Sequence, residues 1–250
     1  MTDHLLPWPE GHGRIILDEV DSTMAEAQRR APTLDRPTWI MARRQTAPRG
    51  RRGRTWSQPK GNFSATFVMK PGGNPASAAL RSFLAANALF ETLALQVDRD
   101  ALATKWPNDV LLNGGKVAGI LLESTSVGGT VDWLSIGIGV NLMTVPSDVR
   151  DAAFPPVSVH GEGGRPMPRD EFLSSIASNM ATEEALFQRM GFGIIRERWL
   201  EHAARLGEII TAVTGRDEVT GTFETVDEAG QLVLLTPKGR VTIPAADVYF

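Results

Sequence analysis

The sequence predicts an α+β fold with a mixed, largely antiparallel sheet. Three observations predict it. Four apolar stretches follow one another between Leu102 and Leu142, separated by tight-turn signals rather than by helices. Sequential hairpins of that kind build antiparallel pairs, whereas a wound parallel sheet needs a helix between its strands. A long helical period precedes them from Ala76 to Val97, and after Gly207 the chain changes to short strands divided by glycine-containing turns.

Taken in order, Arg14 to Glu19 reads as a strand. Ser22 or Thr23 reads as a helix N-cap, with Glu26 at capping-box spacing from Thr23 and Pro32 after the helix end near Ala31. Trp39 to Ala42 is a short strand. Arg43 to Gly61 has no periodicity and reads as a long loop, of the kind that inside a compact domain carries function. Phe63 to Met69 alternates with period two and ends at Pro71, Gly72 and Gly73. In the helix from Ala76 to Val97, Leu80, Phe83, Leu84, Phe90, Leu93 and Val97 mark a buried face. Strands follow at Leu102 to Trp106, Val110 to Asn113, Val117 to Glu123 and Trp133 to Leu142. Their turns are Pro107-Asn108-Asp109, Asn113-Gly114-Gly115 and Gly128-Gly129. A proline- and glycine-rich segment from Ser147 to Pro168 leads to helices at Arg169 to Met190 and Phe192 to Ala204. The strands Ile209 to Val213, Val219 to Val226, Leu232 to Thr236 and Arg240 to Ile243 then suggest a small barrel. The expected division is 1–206 and 207–250.

Composition narrows the chemistry. Hydrophobic residues make up 42% and the formal net charge is −3, so the chain as a whole is no polyanion binder. Cysteine is absent, which excludes disulfides, thiolate metal sites and cysteine nucleophiles. The N-terminal stretch is broken by Asp3, Glu10, prolines and glycines, so neither a secretory signal nor a membrane span is expected, and a cytoplasmic protein is.

Four stretches carry candidate chemistry. Arg43 to Arg54 holds six arginines and no acid in twelve residues. Arginine presents a planar fork suited to phosphate or carbonyl recognition, Gly50 and Gly53 permit close backbone approach, and Trp56 offers a stacking face. A solvated basic loop or a nucleic-acid patch is the plainer reading of the same run. Lys105 ends a strand among buried neighbours, before a turn. Gly119, Gly137 and Gly139 weaken two apolar strands, which suggests either a ligand lying on the sheet or a bulge or tight packing. Ser22 and Thr23 stand at a helix N-terminus, where capping alone would explain them.

In this order, these stretches resemble the biotin–protein ligases. The resemblance rests on Asp21-Ser22-Thr23, on Gln45 with Arg49-Gly50-Arg51-Arg52-Gly53-Arg54-x-Trp56, and on Lys105-Trp106-Pro107-Asn108-Asp109. It continues in Lys116-x-Ala118-Gly119-Ile120-Leu121-x-Glu123 and Gly137-x-Gly139-x-Asn141. It is strong over about 15–145 and weaker in the C-terminal strands. It implies a catalytic domain like that of class II aminoacyl-tRNA synthetases, with an SH3-like domain behind it. It implies that biotin and MgATP give biotinyl-5′-AMP, and that a lysine of a biotin carboxyl carrier protein then takes the biotin. Carried over position by position, Ser22, Thr23 and Gln45 would contact biotin, and Arg49, Gly50 and Arg51 would close over biotin and its adenylate. Lys105 would bridge carboxylate and α-phosphate, with Lys105 and Arg51 as catalytic groups. Arg54, Trp56, Lys105, Lys116 and Asn141 would serve the nucleotide, and Gly119, Gly137 and Gly139 would give the ligand room. No metal ligand is assigned.

Pro48 stands where the family usually has glycine, and Met24 where it usually has asparagine. The chain starts directly at the catalytic domain, without the DNA-binding winged helix of some bacterial members, so no DNA partner or repressor role is expected. The oligomeric state stays open, a homodimer included. A lipoate or octanoate ligase on a related fold fits the arginine loop and Lys105-Trp106-Pro107-Asn108-Asp109 less well. A nucleic-acid binder would need a broader basic face than one cluster.

Overall fold

A computed structural model describes residues 6–50, 56–146, 154–215 and 217–250. Its first unit is built on a seven-stranded sheet in the order β1-β2-β3-β7-β6-β5-β4. The strands are β1 (Gly13–Val20), β2 (Thr38–Gln45), β3 (Phe63–Met69), β4 (Leu102–Lys105), β5 (Asp109–Leu112), β6 (Gly115–Val127) and β7 (Thr130–Val140). Every pair is antiparallel except β1 and β2, which run parallel with helix α1 (Thr23–Arg30) as their crossover. The expectation of a largely antiparallel sheet therefore holds with one βαβ unit at its edge.

The hairpins form where glycine and asparagine chemistry demands them. Asn113 and Gly114 take φ of 49° and 78°, and Gly128 and Gly129 take 58° and 81°, the left-handed values that tight hairpin turns require.

Alternation along the strands divides the sheet into two faces. Phe63, Ala65 and Phe67 of β3 join the main core, with Phe83, Leu84, Leu89, Phe90 and Leu93 of α3 (Arg81–Leu93). Behind α3 pack α4 (Arg169–Met190) and α5 (Phe192–Glu201). On the opposite face α1 covers one end only, where Ala27 and Ala31 meet Ile40, Val68 and Trp133. The rest of that face is the floor of the cavity described below.

Three expected elements differ. The single helix from Ala76 to Val97 is two, α2 (Pro75–Ala79) and α3, parted at Leu80 where a tighter bond from Phe83 N–H to Leu80 O intervenes at 3.0 Å. No glycine or proline marks this break, so the apolar period runs through it. The second C-terminal helix stops at Glu201 rather than Ala204, because Thr104 of β4 takes over the backbone. Thr104 N–H donates to His202 O and Ala204 N–H donates to Thr104 O, both at 2.8 Å. The long loop begins after Gln45, not at Arg43. Arg43 and Arg44 are the exposed end of β2, where Arg43 pairs with Asp18 and Asp170 and Arg44 with Glu19.

The second unit is a five-stranded antiparallel sheet in the order β11-β10-β9-β8-β12. It comprises β8 (Ile209–Val213), β9 (Glu218–Val226), β10 (Leu232–Thr236), β11 (Gly239–Ile243) and β12 (Asp247–Tyr249), the last a strand the sequence did not announce. Its core residues Ile210, Phe223, Leu232 and Leu234 belong to the same apolar cluster as Trp106 and Trp199 of the first unit. Trp106 Nε1–H also donates to Gly230 O at 3.1 Å.

Candidate functional site

The uncovered face of the sheet floors a cavity of about 340 Å³. One transverse row crosses five strands there. Ser64 of β3 is paired with Gly139 of β7, Gly139 with Gly119 of β6, Gly119 with Asp109 of β5, and Asp109 with Lys105 of β4. All five line the cavity. Neighbouring strands lie about 4.8 Å apart, so the row is roughly 19 Å across.

Every described residue to which the resemblance gives a binding role lines this one cavity, whereas Arg43, Arg44 and Asp21 do not. At the β2 end, Ser22 and Thr23 enter from the N-terminus of α1, both buried. Ser22 occupies the N-cap position, but its side chain makes no capping bond. The capping box expected of Glu26 is absent too, because Glu26 is drawn to Arg29 at 2.7 Å and Arg30 at 2.5 Å. Asp21 is held by Arg29 through two bonds of 2.9 and 2.6 Å, and this pairing keeps its carboxyl well below the usual carboxylate range. Capping therefore does not account for the two hydroxyls. Gln45 Oε1 accepts from Thr23 N–H at 2.7 Å and from Thr23 Oγ1 at 3.2 Å, and Thr66 Oγ1 donates to Thr23 Oγ1 at 2.9 Å. A chain of polar groups thus lines this end.

The other end is cationic. Lys105 is 6% exposed, and its ammonium stands 4.5 Å from the centre of the Phe154 ring. The turn that follows, through a cis Trp106–Pro107 bond, returns the chain as β5 beside Lys105. Lys116 Nζ lies 2.7 Å from Asp109 Oδ1 and 5.6 Å from the Trp56 ring centre. Arg49 and Gly50 form part of the wall above. Arg51 and Arg54 lie outside the described residues.

The glycines have a steric reason. A Cβ at Gly139 would meet Trp56 ring atoms at 2.6 Å, one at Gly119 would meet the same ring at 3.1 Å, and one at Gly137 would meet Met24 Sδ at 2.8 Å. The Gly119–Gly139 pair is in regular register, although β6 is irregular just before Gly119, between Lys116 and Ala118 opposite Leu111 and Val110. The glycines leave room for the Trp56 ring to lie close against the backbone of β6 and β7. Asn141 is 2% exposed, and its amide is already engaged. It accepts from Asn62 Nδ2 at 3.3 Å and donates to Val157 O at 3.1 Å, so it ties three segments together beside the cavity.

Sequence reasoning missed Ser64, Phe154 and the C-terminal residues Asp247, Val248 and Tyr249, all of which line the cavity. Period-two alternation could have placed Ser64 on the polar face of β3. No local signal could have brought β12 across from the second unit.

The described chain has counterparts among known proteins. Residues 16–141 match the biotin/lipoate A/B protein ligase family, and residues 206–250 match the biotin protein ligase C terminal domain. The chain is 51% identical over 238 residues to a biotin–[acetyl-CoA-carboxylase] ligase of Paracoccus denitrificans, covering 94% of this chain and 99% of that one. It is 27% identical over 228 residues to the bifunctional ligase/repressor BirA of Escherichia coli, covering 90% of this chain and 70% of that one. The biotin protein ligase from Aquifex aeolicus in complex with biotin and ATP superposes with a TM-score of 0.79 at 25% identity, covering 94% and 98% of the two chains.

Proposed function

The chain belongs to the biotin/lipoate A/B protein ligase family, and from that premise we propose that its cavity joins biotin to ATP and then to a protein lysine. The protein is an ATP-dependent biotin ligase of the acetyl-CoA-carboxylase type. A biotin carboxylate oxygen attacks the α-phosphorus, the bond to the β-phosphate oxygen breaks, and pyrophosphate leaves. The ε-amine of the acceptor lysine then attacks the carbonyl carbon of the mixed anhydride, AMP departs, and the amine loses its proton as the amide forms.

The cavity floor supports this reading best, because its row of paired residues runs from Lys105 to the Ser64 hydroxyl, with Ser22, Thr23 and Gln45 lining the cavity as well. In the first step two anionic groups must approach each other, and fixed positive charge lowers that barrier without covalent chemistry. Lys105, buried and braced on a short strand, is suited to sit between carboxylate and α-phosphate. Ser22, Thr23 and Gln45 form the polar wall for the biotin ring, and Gly137 leaves space beside it. Trp56, Lys116 and the Gly119–Gly139 pair serve the nucleotide, with Asn141 holding the wall in place. Arg49 and Gly50 form part of the cavity wall, and Arg51 and Arg54 would act with them to shield a hydrolysable adenylate from water.

ATP enters as its Mg²⁺ complex, the acceptor is the biotin carboxyl carrier protein of acetyl-CoA carboxylase, and the proposed compartment is the cytoplasm. Among the described residues, no helix is long and apolar enough to cross a membrane. Residues 1–206 form the catalytic domain. Residues 207–250 complete its wall, since Asp247, Val248 and Tyr249 line the cavity.

Mass spectrometry of the protein incubated with biotin and MgATP tests the reading. A bound biotinyl-5′-AMP, followed by the mass gain of one biotin on an added carrier domain, is expected. Absence of the adenylate overturns it.

A further inference from the structure

At the end of the floor row opposite Lys105, the Ser64 hydroxyl is buried and meets no hydrogen-bond partner among the described residues. The residue is 3% exposed and lines the cavity. Thr66, two residues along on the same side of β3, and Thr23 are already engaged, since Thr66 donates to Thr23 and Thr23 donates to Gln45. Native proteins seldom leave a buried hydroxyl unpaired, because the unmade bond costs stability. A cavity-lining hydroxyl with no protein partner is best explained by a partner that arrives with the ligand.

We propose that Ser64 is a recognition residue for the cyclic urea of biotin, an inference that rests on the biotin reading above. The carboxylate belongs beside Lys105, so the opposite end of the acid falls toward β3, where Ser64 sits. The hydrocarbon chain between them offers a hydroxyl nothing. The urea offers two N–H donors and a strong carbonyl acceptor, and a serine hydroxyl can answer either. Ser64 and the Thr23–Gln45–Thr66 cluster then meet the urea from adjoining strands.

The test is titration calorimetry of wild type and Ser64→Ala with biotin and with desthiobiotin, which keeps the urea and carboxylate but lacks the sulfur. The melting temperature of each unliganded protein is measured alongside. Ser64→Ala should melt no lower than wild type, since the hydroxyl it removes has no protein partner. It should bind both ligands roughly 3- to 10-fold more weakly, the loss typical of one neutral hydrogen bond. Unchanged affinity for both ligands overturns the proposal, as does a loss confined to biotin. A lower melting temperature with unchanged affinity also overturns it, by assigning Ser64 a structural role. Wild-type protein that binds neither ligand overturns the biotin reading itself, and the inference with it.

Discussion

The indole of Trp56 lies so close over Gly139 that a methyl group at residue 139 would sit 2.6 Å from its ring atoms. Gly139→Ala must therefore push the ring off the floor, and overpacking of this kind costs about 1–3 kcal/mol. If Trp56 braces the nucleotide, the variant should raise the apparent KM for ATP by roughly tenfold. Trp56→Ala should blunt the effect of adding Gly139→Ala, because the clash partner is gone. Steady-state kinetics over the four proteins of that cycle decide it. Strict additivity would show that the two residues do not act through each other.

Lys105 is held on a four-residue strand with Leu102, Thr104 and Trp106 buried around it. A charge so fixed acts where negative groups converge. Lys105→Ala is expected to slow adenylate formation by roughly 10²–10³-fold, the usual loss for one electrostatic stabiliser. Single-turnover pyrophosphate release measures this directly. A normal rate would remove Lys105 from the first half-reaction.

Gly230 has φ of +77°, and a Cβ there would lie 2.9 Å from the Phe83 ring. Its carbonyl also receives the Trp106 indole N–H. Left-handed strain and overpacking add, so Gly230→Ala should cost about 2–4 kcal/mol. Urea unfolding reads the change, and a loss under about 1 kcal/mol would mean that the contact between units yields without resistance.

His202 stacks on Phe90 with ring centroids 3.9 Å apart and 7° between planes. Burial first, then the charge of Arg99, holds its imidazole below its ordinary value of 6.5, while Glu201 and Glu91 act the other way. The unfolded chain thus takes up the proton more readily than the folded one. The stabilisation is complete above about pH 6.5 and is lost as pH falls below it. Melting temperature followed down from pH 7.5 should drop more steeply for wild type than for His202→Phe, which keeps a stacked ring. Parallel profiles would show that His202 does not titrate in this window.

Much of the fold was legible because local chemistry specifies it. Asn113-Gly114-Gly115 and Gly128-Gly129 announce their hairpins, and the alternation in Phe63 to Met69 assigns its faces. The parallel pairing of β1 with β2 was not legible, since a crossover register is set by packing of α1 rather than by a turn. The same holds for Arg43 and Arg44. They read as part of a free basic cluster, yet Asp18, Glu19 and Asp170 neutralise them from neighbouring elements. In the site, residue types that imply chemistry by themselves could be picked out: lysine at a strand end, glycines in apolar strands, hydroxyls before a helix. Ser64 and Tyr249 could not, because the significance of each comes from what the fold sets beside it.

The apolar cluster that runs without a gap from the large sheet into the small one has a thermodynamic consequence. Neither part can melt while its neighbour keeps its native surface, because Trp106, Trp199 and Phe223 would be exposed to water together. Heating should therefore give a single calorimetric endotherm rather than two. An occupant of the cavity, touching walls from both units, should shift that one transition as a whole, so that saturation of the site and rigidity of the C-terminal end rise together.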